Sequence, residues 1–266
     1  KESIDLVFPP ADLELSDQPP PPSNIPDVPD PHNSDLTRLE LHHAISTMAS
    51  GSSADAAGIT FELVKAGGLN LDALTLTLYN LLFRNSSTPE QLLLARVTML
   101  HKGGGKATDN ASNYRPIAVG NILNKCFEKM LQNRLASHLE ANSCLVDIQH
   151  GFRPDRGADD GLLPLTDCIS QRTQAHAYII SLDLRTAFPS VRHSHIVRSL
   201  KDRGIHGFLL DNLIRSLKGS QYYRVDGSSS SRELIQSGVK QGGVISPLLF
   251  LCAIDDLLRQ LLLEAP

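Results

Sequence analysis

Four cysteines in 266 residues, at positions 126, 144, 168 and 252, form no C-x-x-C pair. That excludes the usual zinc-ligand spacings and leaves reduced, buried thiols of an intracellular protein as the expectation. No apolar run approaches the ~20 residues that span a bilayer. The longest, Leu248 to Ile254, is closed by Asp255 and Asp256, so no membrane partner is expected. An excess of basic residues is also missing. The net charge is −4, and charge alone gives no pointer to nucleic acid. There is no internal repeat. The chain opens on Lys1 without an initiator methionine or a signal-peptide pattern, and it reads as an excerpt from a longer protein.

What is present divides unevenly. Residues 1–34 hold nine prolines and seven carboxylates against Lys1, a net of −6 that leaves +2 for the rest. This composition predicts an extended, disordered, Pro-rich acidic linker. From Ser34, a candidate N-cap, helical patterning begins through Leu39, Leu41 and Ile45. Helices are expected over Phe61–Ala66 and Leu71–Phe83, and Thr88-Pro89-Glu90-Gln91 reads as a capping box. A strand is expected over Ala95–Leu100. The clearest helix is Asn121–Glu140, whose stripe of Ile122, Leu123, Cys126, Phe127, Met130, Leu131, Leu135 and Leu139 has the 3.6-residue period. Further helices are expected near Asp160–Thr173, Ser194–Asp202, Gly207–Leu217 and Pro247–Leu262. Strands are expected at Ala177–Leu184, Gln221–Val225 and Glu233–Ser237. Helices outnumber strands, which predicts an α+β fold with one antiparallel sheet packed on helices.

Two segments carry most of the chemical information. In Tyr178-Ile-Ile-Ser-Leu-Asp183-Leu-Arg-Thr-Ala-Phe188 the period of two puts Ile179, Ser181 and Asp183 on one face of a strand. A carboxylate at such a strand end can hold a hard cation, although a surface charge or helix cap is the commoner use. In Gly238-Val-Lys-Gln241-Gly-Gly-Val-Ile-Ser-Pro247 a glycine-rich turn precedes a helix, which allows close backbone approach. Upstream, Lys102 and Lys106 bracket a glycine turn and Asn113-Tyr114-Arg115-Pro116-Ile117 follows, cations suited to a triphosphate. A P-loop is excluded because Ala107 stands where Ser or Thr is required. In Gly151-Phe-Arg153-Pro-Asp-Arg156-Gly157 the two arginines could meet phosphates or make internal salt bridges. The pair Asp255-Asp256 sits in a helical pattern and reads as non-catalytic. His193 and His195 fit a helix start better than a metal site.

Taken in order, these segments resemble motifs A and B of reverse transcriptases, most closely those of non-LTR (LINE-like) retrotransposons. Asp183, Ala187 and Phe188 match motif A, and residues 238–250 match motif B almost residue for residue. The NYRPI and GFRPDRG segments resemble the family's fingers and template-side motifs, and Ser53 to Ile59 loosely matches the segment before the fingers. Pro189 departs from the aspartate common after the motif A phenylalanine.

The resemblance implies a right-hand polymerase: fingers over 35–174 and a partial palm with a ferredoxin-like antiparallel sheet over 175–266. It implies RNA-templated DNA synthesis from a primer 3′-OH, with dNTPs and Mg²⁺ (or Mn²⁺). Asp183 and the Leu184 carbonyl would hold metal. Lys102 and Arg115 would meet the triphosphate, Phe188 would exclude a ribose 2′-OH, and Gln241 and Gly242 would face the base pair. Arg153 and Arg156 would lie along the template. RNA template, DNA primer and the other domains of a parent polyprotein are the implied partners, in nucleus and cytoplasm. A third motif, an aromatic-x-Asp-Asp hairpin, is not found before Pro266, so the chain by itself is expected not to polymerise. A non-catalytic RNA-binding remnant is the alternative.

Overall fold

Helix formation at the centre of the fold follows directly from the stripe at 122–139. Asn121 caps it, its side-chain oxygen accepting the N–H groups of Leu123 and Asn124. The computed structural model describes residues 30–51, 53–171, 179, 181–184, 186–225 and 228–264. In chain order it contains α1 (Arg38–Thr47), α2 (Phe61–Ala66), α3 (Gly68–Asn85), α4 (Glu90–Leu93), β1 (Ala95–His101), β2 (Tyr114–Gly120) and α5 (Ile122–Ala141). There follow α6 (Ala158–Ser170), α7 (Ala187–Ser190), α8 (His193–Asp202), α9 (Gly207–Leu217), β3 (Ser220–Val225), β4 (Ser228–Ser229), β5 (Glu233–Leu234) and α10 (Ser246–Glu264). Ile122, Cys126, Phe127, Met130, Leu131, Leu135 and Leu139 of α5 are all buried. They join Leu41, Phe61, Tyr79 and Phe83 from the first helices and Leu200, Leu209, Leu213 and Leu249 from the last in one hydrophobic cluster. Helix α5 packs on α1 and α9, α9 on α3 and α8, and α8 on α10.

The sheet corrects two expectations. Its order is β2-β1-β3-β4, with β5 also on β3. β1 pairs antiparallel with β2 but parallel with β3, Ala95 opposite Gln221 and Val97 opposite Tyr223. It is therefore mixed rather than antiparallel. Parallel neighbours need a long crossover, and here five helices stand between the two strands; residue alternation carries no information about direction. The strand expected over Glu233–Ser237 is also shorter, β5 ending at Leu234, while the serine run supplies β4, with Ser228 opposite Val225. The expected strand at Ala177–Leu184 falls partly on residues 177, 178 and 180, outside the described residues. Its described part, Ile179 and Ser181–Leu184, has no strand pairing. Alternation creates a suitable face, but only a hydrogen-bonding neighbour makes a strand.

Local capping also differs. Thr37, not Ser34, caps α1: its hydroxyl accepts the Glu40 N–H while Glu40 accepts the Thr37 N–H, a reciprocal box. Thr88 is buried and forms no cap for α4, whose N-cap is Pro89. The expected linker lies mostly on residues 1–29, outside the described residues. Asp30 to Ser34 belong to the folded part, since Arg134 donates to the carbonyls of His32 and Ser34. Among the described residues no helix is long and apolar enough to cross a membrane. Cys126 and Cys252 are buried thiols as expected, and burial pushes them up to about 11 and about 12. Cys168 is exposed.

Three buried arginines bind distant segments. Arg134 on α5 meets Glu40 at 2.6 Å and lies over the Phe83 ring. Burial disfavours the Glu40 carboxylate, but the Arg134 and Thr37 hydrogen bonds hold its pKa below the ordinary value. Arg153 meets Glu140 at 2.6 Å. Arg203 at the end of α8 meets Asp255 of α10 at 2.7 Å, with Asp255 fully enclosed. Removing Arg203 leaves the enclosed Asp255 carboxylate with only the Val146 N–H and the half-exposed Arg259. Arg203→Met should therefore lower unfolding free energy by about 3–5 kcal/mol in urea titration. Arg84→Met, which breaks the exposed pair with Asp35, should stay within about 1 kcal/mol. Equal losses would show that burial of the Arg203 pair is not what matters.

Candidate nucleotide-binding site

The β1–β2 hairpin has two unlike faces. Ala95, Val97 and Ala118 are buried beneath it, whereas Thr98, Leu100 and Arg115 are exposed on the outer side. Leu100 lies opposite Arg115. The Lys102 N–H donates to the Asn113 carbonyl at 2.8 Å and carries the pairing one step further. The register thus puts Lys102 and Arg115 on the same outer face near the hairpin's tip. Lys102 Nζ donates to the Ser112 carbonyl at 2.6 Å, and Arg115 has no hydrogen-bond partner among the described residues. Asn113 and Tyr114 hold the glycine loop, donating to the carbonyls of Ala107 at 2.8 Å and Thr108 at 2.9 Å. The NYRPI segment therefore shapes this hairpin as well as supplying Arg115.

The turn at 238–243 meets that hairpin and the segment after Asp183. The Gly238 N–H donates to the Val191 carbonyl at 2.7 Å and the Val239 N–H to the Phe188 carbonyl at 2.9 Å. On the other side the Ala118 N–H of β2 donates to the Gln241 carbonyl at 2.7 Å. Within the turn, the Gly243 N–H closes on the Lys240 carbonyl at 3.0 Å. His193, at the start of α8, places Nε2 2.8 Å from the Gly238 carbonyl. Nε2 must carry the proton there. Burial depresses the ring's pKa, which keeps it neutral.

Phe188 is half-buried in α7. Its ring lies 5.0 Å from that of Phe250 on α10 and 6.3 Å from that of Phe152. Phe152 is 60% exposed and has a positive φ of 59°, an uncommon conformation for a bulky residue. The structure thus sets Gln241 and Gly242 beside β2 and joins the same turn to Phe188 through Val239, with Arg115 and Lys102 further along the hairpin.

Other expected residues are placed differently. Asp183 is exposed and has no hydrogen-bond partner among the described residues; Leu184 is half-buried. Arg153 is corrected to an internal strut. Its guanidinium grips both Glu140 oxygens, at 2.8 and 2.6 Å, and the carbonyls of Val146 and Gln149, which commits four of its five N–H groups inside the protein. That contact holds the Glu140 carboxyl below its ordinary range. Arg156 pairs with the exposed Asp147 and stays partly accessible. Asp255 and Asp256 are structural. Asp255 accepts from Val146, Arg203 and Arg259, and Asp256 accepts from Arg203.

A divalent ion does not fit the groups present by themselves. Among the described residues no three of His, Cys, Asp or Glu gather into a site, and Asp183 offers one carboxylate. Sequence reasoning missed His193, Phe250 and the buried Glu128 behind the turn. Asn124 and Glu128, spaced i, i+4 and both buried in α5, were the readable sign of the last.

A glycine turn is thus bonded to a short aromatic-bearing helix on one side and to a basic hairpin on the other. Residues 100–265 match the family described as reverse transcriptase (RNA-dependent DNA polymerase). The chain is 35% identical over 203 residues to the Retrovirus-related Pol polyprotein from type-1 retrotransposable element R2 of Popillia japonica, covering 73% of this chain and 28% of that protein. It is 29% identical over 184 residues to the probable RNA-directed DNA polymerase from transposon BS of Drosophila melanogaster, covering 68% and 20%. To the RNA-directed DNA polymerase from mobile element jockey of Drosophila funebris it is 27% identical over 187 residues, covering 69% and 20%. The chain belongs to the reverse transcriptase family, in its non-LTR retrotransposon branch. It spans about a fifth to somewhat over a quarter of the length of these relatives.

The closeness of the turn gives a stability prediction. A Cβ at Gly238, where φ is +74°, would stand 2.5 Å from Pro189 Cα and 2.7 Å from the Phe188 carbonyl oxygen. Gly238→Ala should cost at least about 2 kcal/mol in urea titration. Gly104→Ala, at φ +69° with open space around it, should cost about 1 kcal/mol. Equal costs would mean that the close approach is not real.

Proposed function

We propose that this chain forms the nucleotide-facing part of a reverse transcriptase that, in the whole protein, extends a primer 3′-OH with dNTPs on an RNA template. The observation that carries this reading is the turn at Gln241–Gly242, bonded on one side to Phe188 and Val191 and on the other to Ala118. The primer oxygen attacks the α-phosphorus of the dNTP, and that P–O bond forms as the bond to pyrophosphate breaks. Lys102 and Arg115 neutralise phosphate charge, Phe188 stands against the sugar, and Gln241 with Gly242 supports the base pair. Arg156 is the remaining candidate for the template backbone. These groups act by orientation and charge compensation.

Finer features belong to the same proposal. The fingers occupy 35–174 and part of the palm 175–266. The family uses divalent metal ions, and Asp183, with the Leu184 carbonyl, is the contribution this segment offers to Mg²⁺ or Mn²⁺. Further carboxylates must come from outside the described residues. RNA template, DNA primer and other domains of the parent polyprotein are the partners, in nucleus and cytoplasm.

The test is primer extension by the whole parent protein on an RNA template with Mg²⁺ or Mn²⁺. Asp183→Ala should reduce the rate about 10²-fold or more. Arg115→Ala should raise KM for dNTP, and Phe188→Ala should increase ribonucleotide incorporation. Extension that is indifferent to Asp183→Ala would sink this reading. RNA retention on a filter without any extension would leave RNA binding as the activity.

A further inference from the structure

Behind the nucleotide-facing turn, on the side away from the outer face of the hairpin, lies a small cavity. Asn124, Lys125 and Glu128 of α5 line it together with Lys240, Gly242 and Gly243. Glu128 is 4% exposed, a burial that carboxylates accept only when hydrogen-bonded and paired with charge. Asn124 Nδ2 donates to Glu128 Oε1 at 2.9 Å. The Val244 backbone and the Lys240 and Lys125 ammonium groups favour its charged form, but burial outweighs them and pushes its pKa above the ordinary carboxylate value. Lys240 and Val244 flank Gln241, Gly242 and Gly243. The Lys240 chain runs past Gly219, and its Nζ donates to the Leu93 carbonyl at 3.3 Å. Both ends of the turn are therefore referred to one buried group on the most deeply packed helix.

We propose that Glu128 is a positioning residue for nucleotide binding, fixing the Gln241–Gly242 turn through Val244 and Lys240 without touching the substrate. An apolar residue in that place would satisfy the helix but would leave the Asn124 amide without its acceptor and Lys240 without a carboxyl group in the cavity both line. The arrangement also explains why a carboxylate sits beside the apolar stripe of α5. Burial opposes its ionisation most strongly, and the two lysines, Asn124 and Val244 work against that effect.

This inference rests on the turn being nucleotide-facing, and the experiment separates the two. The full parent protein is assayed by steady-state primer extension with varied dNTP, alongside a thermal melt by circular dichroism. Glu128→Gln should raise KM for dNTP about fivefold or more while kcat changes less than twofold. The double variant Glu128→Gln with Lys240→Met removes both charges and should recover most of that KM. A purely structural role would lower the melting temperature and the active fraction and leave KM unmoved. Should Glu128→Gln melt below the assay temperature, Lys240→Met alone carries the test and should raise KM in the same way. An extending wild type with unmoved KM in the folded variant overturns the role of Glu128. A wild type that never extends primer overturns the underlying reading instead.

Discussion

The close approach of two backbones at Gly238 is the constraint on which the site depends. With no Cβ, residue 238 can lie directly against Phe188 and Pro189, and its N–H reaches the Val191 carbonyl. Four residues on, Gly242 lies against the Ala118 carbonyl in the same manner. The turn is therefore held by main-chain hydrogen bonds to a short helix on one side and a β-strand on the other. Its geometry is set by elements that the hydrophobic cluster fixes. Gln241 inherits that rigidity, which is the usual relation between a functional loop and its scaffold.

Charge is distributed by the same logic. Arg134, Arg153 and Arg203 are enclosed, and each is answered by carboxylates and carbonyl oxygens. They fasten α1 to α5, the loop after α5 to that helix, and α8 to α10. Lys102 and Arg115 remain exposed at the hairpin's tip. Net charge could not distinguish these two groups of cations, because both count alike in a sum. Burial separates them: an enclosed guanidinium is committed to the carboxylates and carbonyl oxygens packed around it, and an exposed one can turn its donors outward.

Much of this was legible in the sequence. The α5 stripe, the helices at 61–66 and 207–217 and the strand from Ala95 follow from periodicity, because each buries one face against a single cluster. Motif order singled out Phe188 and the turn at 238–243, which main-chain hydrogen bonds join. What was not legible depended on distant partners. The parallel β1–β3 pairing joins residues 95–97 to 221–223, and nothing local encodes it. Arg153 reads the same in sequence whether it meets a phosphate or Glu140. Thr37 won the cap over Ser34 because Glu40 stands three residues later, a signal that was present and outweighed by the earlier serine. Glu128 was hidden by its neighbours, as a single acid beside an apolar stripe usually faces water.

The two kinds of aspartate in the chain show what decides availability. Asp255 has one oxygen taken by the Val146 N–H and the other by Arg203 and Arg259. Giving any of these to a cation would strip a buried guanidinium of its partner, at a cost comparable to the gain. Asp183 is exposed, and among the described residues no such partner has to be displaced. Its segment, from Ser181 to Leu184, has the alternation of a strand and no strand beside it among the described residues. What decides whether a carboxylate is open is therefore not its residue type but what is packed against it: Asp255 is committed to the guanidinium groups that join α8 and the loop after α5 to α10.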